Sequence, residues 1–179
     1  MRSPLADLPF ARRLERVIHG LAFWLAMLGG VSLLLVVAVT LTSIAGRLLV
    51  PLGLAPIAGD FELVEAGTAF AVFAFLPWCQ LRRGHVAVDL IVARLGPRAL
   101  ACSEFAGALA MALAVGLLTW RLALGLGDRL ASGETSYILG LPLWLPYAAA
   151  LAALGVLVVT SLWCLWRGLA ALARGGAAP

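Results

Sequence analysis

The chain contains no lysine and no asparagine, and it is poor in charge of either sign. All thirteen of its cationic side chains are arginine. Only 12% of the 179 residues are charged against 63% hydrophobic, and mean hydropathy is +1.04. A water-soluble domain needs far more surface charge. The composition is therefore that of a membrane protein, with no room for a soluble catalytic domain. The missing lysine and asparagine suggest codon bias in a GC-rich genome and carry no functional meaning. Cysteine is scarce as well. Cys79, Cys102 and Cys164 have no CxxC spacing, and the two histidines, His19 and His85, lie far apart, so no metal site is expected. The cysteines read as small apolar packing residues near the cytoplasmic side, where thiols stay reduced.

Sequence patterns that carry chemistry are missing too. There is no HExxH, no GxSxG and no glycine-rich phosphate loop. Asp89 and Asp128 have no acidic neighbour in sequence that would make a paired-carboxylate site. Haem would need paired axial ligands inside a bundle, and both histidines fall at expected helix ends. No enzyme, no cofactor, and no catalytic or metal-binding residue is expected. The net charge of +4 is better read through its distribution than as a sign of nucleic-acid binding.

Long apolar runs dominate what is there. Residues 20–46 carry no charge, more than the roughly 20 residues that cross a bilayer. The surplus implies tilt or protrusion, and the run is too long for a cleavable signal, so it is expected to stay as an anchor. Pro51, Gly53, Pro56 and Gly59 then mark a loop. The uncharged part of the next run, residues 66–81, is too short by itself, so its helix must include Glu62 and Glu65. Carboxylates are tolerable there, because the N-terminus is the positive end of a helix dipole. Pro77 lies near its other end. The spans expected are residues 17–49, 61–81, 99–124 and 141–166 in a single all-α, four-helix membrane domain. Between the second and third, Val88, Ile91, Val92 and Leu95 recur at helical spacing. That pattern fits a short helix lying in the interface plane, or an ordinary buried turn. On the third span Ala108, Ala112 and Gly116 form a row of small residues that would let another helix approach closely.

Arginine placement orients the four spans. With both termini cytoplasmic, the inner segments hold Arg2, Arg12, Arg13, Arg16, Arg82, Arg83, Arg94, Arg98, Arg167 and Arg174. The outer ones hold Arg47, Arg121 and Arg129. Aromatics agree. Trp78, Trp163 and Trp166 mark inner ends, and Trp120, Tyr137, Trp144 and Tyr147 mark outer ends, where amphipathic rings settle at the head groups. Arg82, Arg83, Arg94 and Arg98 are read as topology and lipid anchors, with Trp78, Trp144, Trp163 and Trp166 beside them.

The expected membrane interior is nearly free of ionisable groups. An ion-coupled carrier usually keeps one at mid-depth, despite a cost of at least about 2.5 kcal/mol. Arg47, Glu62, Glu65, Glu104 and Arg121 all fall near span ends. They read either as interfacial, snorkelling and capping residues or as contacts to a partner protein, with Arg47, Glu62, Glu65 and Glu104 the candidates. The residues alone thus describe a four-helix accessory or scaffold subunit.

Three segments carry a family resemblance. They are Arg47 followed by GDFELVE at residues 59–65, LRRGHVAVD at 81–89, and ETSYILGLPLWLPY at 134–147. In their order and spacing they resemble the small, DctQ-like membrane subunit of tripartite ATP-independent periplasmic (TRAP) transporters. That resemblance implies a location in the bacterial inner membrane and two protein partners. A periplasmic substrate-binding protein captures the substrate, usually an organic acid. A large membrane subunit carries it by a sodium-driven, elevator-type motion, and the small chain packs against the fixed part of the large one. Two other readings stand beside it: the small membrane subunit of a tripartite tricarboxylate transporter, and a stand-alone small transporter working as an oligomer.

Overall fold

The structure is a computed structural model that describes residues 9–82 and 97–173. Four long helices account for nearly all of this: α1 (Pro9–Leu48), α2 (Asp60–Leu81), α3 (Pro97–Ser132) and α4 (Trp144–Ala173), with a single 3-10 turn at Val50–Leu52 after α1. The all-α class is as expected, and each of the four helices is long and apolar enough to cross a membrane. The segment expected to hold an interfacial helix, together with Arg83 and Arg94, lies outside the described residues.

Local chemistry sets the helix ends. Pro97 opens α3 and Pro146 falls in the first turn of α4, positions where a missing N–H costs no intrahelical bond. Gly59 precedes α2 at φ 77°, and Asp60 and Glu62 fill that helix's first turn. Pro77 sits inside α2, where it removes the N–H that would bond the Phe73 carbonyl. The helix α3 continues well past residue 124, where the third span was expected to end. It passes through Arg121, Asp128 and Arg129 and stops only at Gly133. That residue's φ is 62°, and its N–H bonds the Arg129 carbonyl at 3.2 Å. Charge ends a span but does not end a helix. The left-handed glycine does. Nothing lies within 4 Å of a side chain built at Gly133. Gly133→Ala is therefore expected to cost about 1 kcal/mol through backbone strain alone, read as a lower unfolding midpoint in detergent.

The helices form an open layer rather than a closed bundle. The first, α1, packs along α2, while α4 packs against α2 on one side and α3 on the other, giving the spatial order α1–α2–α4–α3. Between α1 and α4 the contact is lighter. The centre is built by Leu154 and Leu157 of α4 and Val115 of α3, with Phe73 and Leu76 of α2 packed on them. Lipid tails are as apolar as leucine, so shape rather than hydrophobicity holds such helices together. The closest approach is between α1 and α2. A Cβ at Gly67 would sit 2.6 Å from Val36 Cγ2, and one at Gly29 would sit 3.0 Å from Ala74 Cβ. The Ser32 hydroxyl donates across this contact to the Gly67 carbonyl at 2.9 Å. At Gly116, the end of the small-residue row on α3, no described residue lies within 4 Å of a Cβ, while Ala108 and Ala112 are half-buried. Val115, not Gly116, turns toward α4.

Candidate functional site

The chain's polar chemistry concentrates where the α1–α2 and α3–α4 connections meet. Ser43 and Arg47 are one turn apart on α1 and so share a face. Both reach Asp60, the first residue of α2. Asp60 Oδ2 accepts from Ser43 Oγ at 2.5 Å and from Arg47 Nη2 at 2.7 Å, while Oδ1 accepts from the Phe61 N–H at 2.9 Å. The Arg47 guanidinium also lies 5.7 Å from the Phe61 ring centroid. Arg47 was read as a partner contact, and its observed partner is Asp60 of the same chain. Sequence reasoning passed over Asp60, although its place at a helix N-terminus beside the Arg47 loop was the available signal.

A second carboxylate spans the two hairpins. Glu62 Oε2 accepts from Ser136 Oγ at 2.7 Å and from the Leu139 N–H at 3.0 Å, and Oε1 accepts from the Ile138 N–H at 2.9 Å. The loop it grips is already folded back on itself. Ser136 N–H bonds the Leu141 carbonyl at 2.8 Å, Leu143 N–H bonds the Glu134 carbonyl at 3.0 Å, and Thr135 and Pro142 form an isolated bridge. Leu139 then packs onto Gly59, where a Cβ would come within 2.5 Å of Leu139 Cγ. Two successive backbone N–H groups aimed at one carboxylate make a small anion nest, and Glu62 occupies it. The cost of a carboxylate near an apolar span is thus met inside the chain.

Glu65, one turn beyond Glu62, is exposed and has no hydrogen-bond or ion-pair partner among the described residues. Glu104 lies in the second turn of α3 and Arg98 in its first. At the other end of α3, Arg129 pairs with Glu134 and lies 5.9 Å from the Tyr147 ring centroid. Asp128, Ser132 and Gly125 complete a cleft of about 220 Å³ around them.

The opposite end of the layer is aromatic and basic. Trp78 meets Phe23 at 5.6 Å and His19 at 6.5 Å between ring centroids, and the Arg82 guanidinium lies 4.8 Å from its ring. Trp163 and Trp166 sit 5.1 Å apart on α4, and Trp144 stands at that helix's other end. Arg167 approaches Glu15 at 3.8 Å with both side chains 43% exposed, an ion pair worth little in water. This contact brings the start of α1 and the end of α4 to the same end of the layer. Among the described residues no three His, Cys, Asp or Glu side chains gather as a metal cluster would need.

An open layer of apolar helices, clamped at one end by carboxylates and carrying Trp and Arg at the other, defines a membrane component. The family model of the DctQ component of tripartite ATP-independent periplasmic transporters matches residues 36–171, from inside α1 to inside α4. No curated protein and no solved structure matches the chain. The chain belongs to the DctQ family, and so is the small subunit of a TRAP transporter. It is a membrane-embedded transporter component and not an enzyme, and its partners are the other TRAP subunits.

Proposed function

We propose that this chain is the fixed accessory subunit of a sodium-driven, binding-protein-dependent transporter for an organic acid in the bacterial inner membrane. It packs there, as one four-helix domain, against the large transport subunit. The observation that carries this reading is the unfilled face of α3. Only 6% of the apolar window of α3 is buried within the chain, against 33% of that of α4, and Gly116 opens onto empty space. An open layer of long helices suits a stator, because a moving domain needs a neighbour that does not tilt with it. Sodium coupling and the organic-acid substrate rest on the family resemblance. Both termini are assigned to the cytoplasm on the arginine distribution, with the large subunit and a periplasmic substrate-binding protein as partners. Arg82 over Trp78 supports an interfacial anchor at that face, and on charge and sequence position Arg83, Arg94 and Arg98 are assigned to anionic lipid head groups with it.

Arg47 and Glu62 also bond within the chain, and together with Glu65 and Glu104 they are the residues proposed to meet the large subunit. A mild-detergent pull-down from native membranes, read by mass spectrometry, tests the assignment. It should recover a large polytopic protein in comparable amount, and Glu65→Gln should reduce that recovery severalfold without changing the small chain's own stability. Recovery of this chain alone as a homo-oligomer would overturn the stator reading, and undiminished recovery with Glu65→Gln would remove that residue from it.

A further inference from the structure

Both connections at the clamped end of the layer have a composition that water does not favour. Residues 49–59 and 135–143 contain no charged side chain. Their apolar residues nonetheless point outward. Leu52 is 77% exposed, Leu54 52% and Ile138 61%, and Tyr137 is fully exposed. Loops in water are normally polar, and contiguous exposed apolar surface marks a contact with something else.

The backbone of residues 135–143 and of the 3-10 turn in the first connection is largely bonded within the chain, whereas the N–H groups of Ala55, Ile57, Ala58 and Gly59 have no partner among the described residues. Pro51, Pro56 and Pro142 carry no N–H to satisfy. Around the 3-10 turn, Leu52 N–H bonds the Leu49 carbonyl at 2.9 Å and Gly53 N–H bonds the Val50 carbonyl at 3.0 Å. In the other loop, the Ile138 and Leu139 N–H groups go to Glu62, and Leu141 N–H goes to Ser136 Oγ at 3.1 Å. Several charges at this end are turned onto one another or onto the loops, Arg47 onto Asp60, Glu62 onto residues 136–139 and Arg129 onto Glu134, while Glu65 and Asp128 stay exposed on the helices. A water-facing loop needs none of this, because water supplies the missing bonds. A segment surrounded by lipid does need it.

We infer that these two connections lie in the interfacial layer of the bilayer, with Leu52, Leu54 and Ile138 among acyl chains and the Tyr137 ring at the head groups. Lipid is favoured over a protein partner for two reasons. Leu52 and Leu54 follow directly on α1, where Leu41, Ile44 and Leu48 are also exposed. Neither loop offers a charge that a protein partner could select by complementarity. The clamps then serve a second end. They pair Arg47, Asp60 and Glu62 in a zone where an unpaired charge would be costly.

A photoreactive benzophenone side chain placed at Ile138 and, separately, at Leu52 of the full chain tests this in native membranes. Both positions project from the surface, so the probe leaves the packing intact. Irradiation should give adducts with the mass of one phospholipid at both positions, severalfold above the yield from the same probe at exposed Asp128. Adducts to a second protein would mean that the loops are a docking surface. Absence of any adduct would place them in water. Either result overturns the inference.

Discussion

Gly67→Leu should lower the stability of the isolated chain by about 3 kcal/mol, the upper range for forcing extra volume into a packed contact. A side chain there meets Val36 Cγ2 at 2.6 Å from its first carbon. Val36 cannot swing aside, because a β-branched residue in a helix is held to one rotamer. The clash separates α1 from α2 and breaks the hydrogen bond from Ser32 to the Gly67 carbonyl. Since α1 packs mainly on α2, it has little else to hold it. The measurement is the unfolding midpoint in mixed detergent, together with protease cleavage in residues 49–59, which should appear in the variant first. Gly116→Leu is the matched control. Its Cβ enters open space, and leucine is the better helix former, so stability should hold or rise slightly. A large loss of stability at Gly116 and none at Gly67 would show that the α1–α2 contact described here is wrong. Gly116→Leu has a second use, since it should weaken recovery of the large subunit if α3 is where that subunit docks.

Glu62→Ala should release the α3–α4 connection from α2. Three donors lose their acceptor together: the Ser136 hydroxyl and the N–H groups of Ile138 and Leu139. Amide exchange at Ile138 and Leu139 should accelerate by about tenfold or more, because local opening no longer breaks a charge-assisted bond. Glu62→Gln keeps one carbonyl acceptor and loses the charge, so its exchange should fall between wild type and Glu62→Ala. The internal hydrogen bonds of residues 49–59 do not involve Glu62, and their protection should be unaffected. Equal exchange at Ile138 in all three proteins would show that the carboxylate does not hold the loop.

Hydropathy and arginine placement made the four helices and their alternation legible, because a bilayer imposes length and charge rules that act on single segments. Lateral order was not legible. Whether α4 or α3 neighbours α2 depends on which small and large residues interlock, and hydropathy says nothing of that between helices already in lipid. The row at Ala108, Ala112 and Gly116 illustrates the difficulty. It has the pattern of a packing face, yet the close approach within the chain occurs at Gly29 and Gly67. The clamps divided in the same way. Arg47 and Glu62 stood out as groups too costly to leave alone. Their partners, Asp60 and residues 136–139, came from a helix start and from a loop whose shape no local pattern specifies. The bonds from Glu62 to residues 136–139 were not legible because a partner so distant in sequence leaves no trace in spacing.

That distance also orders events during synthesis. Ser136 follows Glu62 by 74 positions. At translation rates of about 5–20 residues per second, the α1–α2 hairpin waits roughly 4–15 s before the loop it grips has been made. Gly29, Gly67 and Ser32 need nothing from downstream, so the first hairpin assembles early. The second has its own contacts in Val115, Leu154 and Leu157. Joining the two is the last step in the life of the nascent chain. Until then the Glu62 carboxylate is a charge at the membrane surface with its neighbours still on the ribosome.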